Sequence, residues 1–148
     1  GIMYGEGEGV ERDYVKSRKW YELSANQGNS IAQSNLGLIY ANGEGVEQDY
    51  RKSIEWYTKA VNQNNADALV EIGLMYAKGE GFPRNYVRAI EYFRKAADQG
   101  NSSAYVNIGV AYINGYGVRY DEAEAKVWFG SACDLGNQQG CDAYKQLK

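Results

Sequence analysis

The hydrophobic positions of this chain recur with the spacing of amphipathic helices. One apolar stripe shares a single helical face and consists of Ala32, Leu36, Ile39 and Tyr40. Gly43 then stands where a helix commonly ends in a left-handed residue, and Asp49 can cap the start of a second helix. The pattern predicts a pair of helices at 30–42 and roughly 50–63, of which the second buries Ser53, Trp56, Tyr57 and Ala60.

The same pattern returns every 36 residues. A segment that leads from a tyrosine through a Gly-x-Gly sequence to a hydrophobic residue occurs at 4–10, 40–46, 76–82 and 112–118. An asparagine column keeps this step without change, as Asn29, Asn65, Asn101 and Asn137. We expect these asparagines to serve turns and helix caps, with Asn64 in a left-handed turn and Asp121 and Glu124 forming a capping box. The repetition predicts stacked helical hairpins, that is, an all-α solenoid.

Composition and charge narrow the range of functions. The chain has 148 residues and a formal net charge of −3, which favours neither a nucleic-acid interface nor a basic membrane-surface helix. No apolar run approaches the ~20 residues that span a bilayer. Because the sequence has no histidine, Ser-His-Asp and Cys-His catalysis and histidine-containing zinc sites are excluded. The Gly-x-Gly segments follow helices, recur in every repeat and lack the Lys-Ser/Thr of a phosphate loop, so they do not indicate a nucleotide site. We expect no cofactor and no metal.

The repeat as a whole resembles the Sel1-like repeat (SLR), a 36-residue relative of the tetratricopeptide repeat. The residues that carry the resemblance are Ala32, Leu36, Gly37, Tyr40, Gly43, Gly45, Val46, Asp49, Trp56, Tyr57 and Ala60. The resemblance covers essentially all of 1–148, as about four repeats in one solenoid. It implies an α/α fold, a right-handed superhelix of antiparallel hairpins whose first helices line a concave face, and a role as a scaffold or adaptor for proteins.

Both ends of the chain depart from the repeat. Gly1 corresponds to Gly37, so the chain opens inside the first helix of a repeat. We therefore expect it to be a fragment of a longer protein with further repeats before Gly1. At the other end, 138–148 begins another first helix, but Lys145 and Lys148 replace the glycine and the tyrosine of the repeat. We interpret 138–148 as a C-terminal capping helix, because a terminal repeat needs a polar outer face.

The two cysteines, Cys133 and Cys141, lie eight positions apart on either side of the turn at 136–137. This spacing is similar to that of the cysteine-rich bacterial SLR proteins, in which such a pair is a disulfide between adjacent helices. The alternative is two small buried thiols in a reducing compartment. If the disulfide forms, we expect the periplasm, the cell exterior or an ER lumen, and otherwise the cytoplasm.

The candidate partner-binding surface is the face of the first helices that points away from the inward stripe. Helical spacing places on this face Ile31, Ser34, Asn35, Leu38 and Asn42, then Val70, Glu71, Leu74 and Lys78, then Val106, Asn107, Val110, Ile113 and Asn114. An apolar stripe flanked by amides and charges suits a peptide or protein segment. The alternative is that the stripe packs against neighbouring first helices.

From this face we select as partner-binding residues Asn35, Leu38, Asn42, Glu71, Leu74, Lys78, Asn107, Val110 and Asn114. By analogy with tetratricopeptide grooves, Asn35 and Asn107 match positions that often contact a peptide. The two-lysine clamp that binds a C-terminal carboxylate in such grooves is incomplete, so a ligand of that kind is not favoured.

These observations predict a non-enzymatic, monomeric module that binds a protein or peptide and neither nucleic acid nor membrane. The resemblance also supplies a rival, because some cysteine-rich SLR proteins are described as penicillin-binding proteins or β-lactamases. Acyl transfer of that kind would want a Ser-x-x-Lys motif, and this chain has none. A third possibility is a purely architectural segment that spaces other domains.

Overall fold

The helices follow the predicted pattern to within a few residues. The computed structural model describes residues 14–147, and this part of the chain forms the helices α1 Tyr14–Asn26, α2 Ser30–Asn42, α3 Tyr50–Val61, α4 Ala66–Lys78, α5 Tyr86–Asp98, α6 Ser102–Asn114, α7 Glu122–Asp134 and α8 Gln138–Gln146. The prediction of 30–42 is met at both ends, and α3 stops two residues before the expected end. Helix α8 lies within the predicted 138–148. The segment 4–10 and Lys148 lie outside the described residues.

The described part of the chain divides into two compact units, with the boundary between residues 68 and 69, inside α4. In the first unit, α2 packs against both α1 and α3. Its core contains Ala25, Ala32, Leu36 and Ile39, with Trp56 packed at the edge. In the second unit, α6 packs against α5 and α7, and α7 packs against α8. Each unit is therefore built from helices that contact their neighbours along the sequence.

The asparagine column caps the first helix of each hairpin. The Oδ1 atoms of Asn29, Asn65, Asn101 and Asn137 accept hydrogen bonds of 2.9–3.1 Å from the backbone N–H three residues later. Two of the amides also reach back by one repeat: Nδ2 of Asn65 donates to the Ser30 carbonyl, and Nδ2 of Asn137 donates to the Ser102 hydroxyl. This confirms the expected cap chemistry, as does the left-handed Asn64 with φ 60°.

A second set of caps closes each hairpin. The side chains of Asp49, Asn85 and Asp121 accept hydrogen bonds from the backbone of the next helix. Their own N–H groups donate to the carbonyls of Tyr40, Tyr76 and Tyr112, at 2.9–3.0 Å. Because the Asp121 N–H is donated to Tyr112, the reciprocal half of the predicted capping box with Glu124 is not made. In each of these hairpins, this backbone hydrogen bond joins the start of the second helix to the end of the first.

Within each hairpin, a glycine allows the closest approach of the two helices. A Cβ atom built at Gly37 would lie 2.5 Å from the ring of Tyr57, and one at Gly109 would lie 2.6 Å from the ring of Phe129. Tyr57, Ser53 and Ala60 are buried as predicted, whereas Trp56 is only half-buried and has the Lys59 Nζ 4.1 Å from its ring centre. The side chain that fills the hairpin is therefore the aromatic residue after the tryptophan position.

Candidate functional site

Four of the nine predicted partner-binding residues line a single groove in the second unit. The groove has a volume of about 260 Å³ and is bounded by α4, α5, α6 and the loop after α6. Its lining residues are Leu74, Ala77, Lys78, Tyr86, Ala89, Ile90, Phe93, Asn107, Val110, Ala111 and Tyr116. Leu74 and Lys78 come from α4, and Asn107 and Val110 come from α6. The first helices of two successive repeats therefore contribute to the groove.

The base of the groove is apolar and buried. Ala89, Ile90 and Phe93 of α5 are 1%, 6% and 4% exposed. A Cβ atom built on Gly73 would lie only 2.6 Å from the Phe93 ring. The ring therefore occupies the space that a side chain at position 73 would need. Val110 is 38% exposed, so its side chain is open to solvent. This combination of a fixed base and an open apolar rim is suited to accepting the side chain of a partner.

Two tyrosines outside the predicted set also line the groove. The rings of Tyr86 and Tyr116 are stacked, with centroids 4.6 Å apart and planes 8° from parallel. The loop comes this close because position 117 is glycine: a Cβ there would lie 2.7 Å from the Tyr86 carbonyl carbon. A sequence signal for Tyr116 did exist, since Glu44 and Glu80 occupy its position in other repeats.

The groove has two polar groups with unused hydrogen-bonding capacity. Among the residues that the structure describes, neither the Lys78 ammonium nor the Asn107 amide has a hydrogen-bond or ion-pair partner. Lys78 is also the one charged side chain in the groove lining over this part of the chain. The site therefore offers one positive charge and one amide next to an apolar surface, a combination that can orient a bound segment.

The other five predicted residues do not line the groove. Glu71 lies one turn before Leu74 on α4. The amide of Asn114 donates to the Val110 carbonyl at 2.9 Å, and the amide of Asn42 donates to the Glu44 carboxylate at 3.1 Å. Asn35 and Leu38 lie on α2 in the first unit, where Leu38 is 42% exposed.

One residue of the predicted outward face is misplaced. Val70 is only 6% exposed, so the expectation that it points outward is wrong. The 3.6-residue period of α4 gives the angle between side chains, but it does not say how wide a sector the surrounding residues cover. Ile31, which was expected on the same face, is 65% exposed.

Cys133 and Cys141 form a disulfide between α7 and α8, with their Cα atoms 4.4 Å apart. The preceding residue, Gly140, has no room for a side chain, because a Cβ there would lie 2.6 Å from the Ala132 Cβ and 3.0 Å from the Cys133 nitrogen. The same position is Ala32, Ala68 and Ala104 in the other repeats. The glycine therefore accompanies a closer approach of the two helices at the disulfide.

Other surface features are less suited to binding an apolar segment. A more voluminous cavity of about 800 Å³ lies along α7 and α8, and its lining includes Glu122, Lys126, Asp134 and Val127. A hydrogen bond to Glu122 raises the pKa of Tyr120, which lies outside both this cavity and the groove. Within 14–147 we find no cluster of three potential metal ligands. The helices in that range are all too short or too polar to cross a membrane.

Comparison with protein families identifies the repeat. The family model of the Sel1 repeat matches residues 1–29, 30–65, 66–101 and 102–137. A putative sel1-like repeat-containing protein of Acanthamoeba polyphaga mimivirus is 60% identical over 37 residues, which are 25% of this chain and 7% of the viral protein. The matched boundaries fall at the asparagine caps, where the 36-residue period begins again.

Solved structures show the same fold. A Sel1 repeat protein from Oxalobacter formigenes is 38% identical, with a TM-score of 0.84 over 94% of this chain and 57% of that protein. The protective antigen c5321 of uropathogenic Escherichia coli, which displays an SLR fold, is 35% identical, with a TM-score of 0.79 over 94% of this chain and 30% of that protein. Helicobacter pylori cysteine-rich protein B is 22% identical with a TM-score of 0.67, a likeness of fold alone. The chain thus has an all-α repeat solenoid fold and spans less than two thirds of the first two structures.

Proposed function

This chain belongs to the Sel1 repeat family, and on that premise we propose that it is a non-enzymatic module that binds a peptide or protein segment in the groove between α4 and α6. Sel1 repeat proteins are generally non-catalytic scaffolds for protein interactions. The family supports the class of function, and the groove supports its location.

The observation that carries the proposal is the joint position of Leu74, Lys78, Asn107 and Val110 around one apolar depression. A buried base keeps the depression open when no partner is present, so binding needs little rearrangement of the protein. An apolar anchor of the partner would displace water from Leu74, Val110 and Phe93. The Asn107 amide could then bond to the backbone of the partner, which would fix its direction.

The location of the binding site can be tested by substituting two valines that lie on helix surfaces. In affinity capture from an extract of the source organism, Val110→Asp places a carboxylate at the groove, whereas Val127→Asp places one on α7, outside the groove. We expect at least one protein that the wild-type chain and the Val127→Asp variant retain equally, and that Val110→Asp retains about tenfold less. Leu74→Asp on the opposite wall should act in the same way. Mass spectrometry quantifies the retained proteins, and circular dichroism verifies that the variants are folded.

The opposite pattern contradicts the proposal. Loss of binding by Val127→Asp alone would assign the function to the larger cavity along α7 and α8, since Val127 lines that cavity. Equal retention by all variants, or no retained protein, would favour an architectural segment that spaces other domains.

We also propose that the protein works in an oxidising compartment, the periplasm or the cell exterior. The disulfide between Cys133 and Cys141 supports this, because such bonds persist where thiols are not kept reduced. The likeness to two bacterial structures is consistent with it. Acid quenching of source cells followed by alkylation should leave both cysteines unmodified until a reductant is added. Immediate alkylation of both would place the protein in a reducing compartment.

A further inference from the structure

We infer that the bound segment carries an aspartate or glutamate beside its apolar anchor, and that Lys78 and Arg84 bind this carboxylate at one end of the groove. The inference rests on the proposed function and names the chemistry of its partner. It follows from the charges near the groove and from the way in which this repeat departs from its neighbours.

One cationic side chain lines the groove, and a second lies beside one of its lining residues. Lys78 is the last residue of α4 and lines the groove itself. Arg84 follows in the loop, where its Cβ would lie 3.3 Å from a Cβ built at Gly79, the residue next to Lys78. The Arg84 guanidinium carbon stands 5.7 Å from the ring centre of Tyr86, which also lines the groove. The lysine therefore belongs to the groove lining, and the arginine lies next to one of the two stacked tyrosines of that lining.

Neither cation is paired with an acid among the residues that the structure describes. Over the described range 14–147, no carboxylate lies within the 4.0 Å of an ion pair from either Lys78 or Arg84. Glu80 is the nearest acid along the chain, and it does not pair with them. A carboxylate supplied by the partner would find both positive charges available, with part of its surroundings already apolar. Lys78 and Arg84 are both exposed, and charge pairs at an exposed rim add specificity to the contact that the apolar anchor makes.

The positive charge of Lys78 is particular to this repeat. The position of Lys78 is asparagine in the neighbouring repeats, at Asn42 and Asn114. The position of Tyr116 is glutamate at Glu44 and Glu80, so the tyrosine removes a carboxylate from the wall of the groove. One departure adds a positive charge and the other removes a negative one, and both make the groove more attractive to an acid.

The test selects peptides from a random 12-residue library whose C-termini are joined to a phage coat protein. Any carboxylate that is enriched then belongs to a side chain and not to a free C-terminus. The selecting proteins are the wild-type chain, Lys78→Glu/Arg84→Glu, Val110→Asp, and Arg119→Glu/Lys145→Glu. The last variant is the matched control, because it makes the same change in net charge at exposed residues outside the groove lining.

We expect the wild-type chain to enrich peptides that pair a large apolar residue with Asp or Glu. A synthetic, fluorescently labelled copy of the most enriched peptide should bind Lys78→Glu/Arg84→Glu about tenfold more weakly and the control variant within about twofold. Lys78→Glu/Arg84→Glu, in which both charges are reversed, should itself select peptides with Lys or Arg in place of the acid. Circular dichroism verifies the fold of each variant.

The possible outcomes distinguish failure of the acidic-peptide inference from failure of the proposed function. Peptides that Val110→Asp loses but that show no acidic preference would overturn the inference and leave the proposed function standing. Equal weakening by the control variant would also overturn it, because the preference would then come from net charge. If no selected peptide depends on Val110, the proposed function fails and the inference fails with it.

Discussion

Phe129→Ala is expected to lower the free energy of unfolding by about 3–5 kcal/mol, and Gly109→Ala by about 1–3 kcal/mol. The phenylalanine is 4% exposed and fills the hairpin between α6 and α7. The alanine would press its methyl group against the same ring, at 2.6 Å from the nearest ring carbon. In a helix with free space, the same change from glycine would stabilise by about 1 kcal/mol. Urea unfolding followed by circular dichroism measures both effects.

Combining the two substitutions tests whether the cost of Gly109→Ala comes from the Phe129 ring. In a Phe129→Ala background the ring is absent, so adding Gly109→Ala should cost nothing or should stabilise the protein. Gly130→Ala serves as a matched control on α7, because its methyl group would meet only the half-exposed ring of Tyr144 at 3.1 Å, and that ring can move. We expect the control to be neutral or mildly stabilising. If Gly109→Ala is as stable as the wild type, the ring does not occupy the space of the missing side chain.

Removing the disulfide with Cys133→Ser/Cys141→Ser is expected to cost roughly 2–3 kcal/mol of stability, according to the chain-entropy estimate for a loop of eight residues. The loss should appear first in α8, which packs mainly on α7. Hydrogen exchange should show faster exchange of the α8 amides with little change in α5. Uniform acceleration over the whole chain would contradict a local role of the bond.

Gly140→Ala tests the close approach that accompanies the disulfide. In the oxidised protein we expect a loss of about 1–3 kcal/mol, because the methyl group would meet the Ala132 Cβ and the backbone of α7. In the Cys133→Ser/Cys141→Ser protein, α8 can move outward, so the same change should cost clearly less. Gln139→Ala, at an exposed position of the same helix, should stay within about 0.5 kcal/mol in both backgrounds. An equal cost of Gly140→Ala with and without the bond would show that the two features are independent.

Local chemistry explains why the helices could be predicted from the sequence. Helix ends depend on residues only a few positions apart, such as Asn29 and the N–H of Ala32, and these pairs can be identified without a fold. The Asp121 side chain does accept from the Glu124 N–H, but the reciprocal half of the predicted capping box is missing for the opposite reason. The Asp121 N–H is donated to Tyr112, a partner on the previous helix that only the hairpin brings close.

The groove was predictable only in part. Leu74 and Val110 follow from helical spacing, because the period determines which residues share a face. The period could not identify Tyr86 or Tyr116, since their contact joins the start of α5 to a loop 30 residues later. Val70 failed because residues packed around a helix decide how much of its outward sector stays open. The one sequence clue to Tyr116, a break in the glutamate column, becomes meaningful only when the loop is seen against Tyr86.

The backbone contact that closes each hairpin also bears on how such a chain can change over generations. The carbonyl of Tyr40 meets the N–H of Asp49, and the same nine-residue interval separates Tyr76 from Asn85 and Tyr112 from Asp121. An inserted or deleted residue in any of these loops would break that bond and displace the cap that depends on it. We therefore expect the length of such a chain to vary mainly by duplication or loss of a complete 36-residue segment, which keeps every one of these bonds in register.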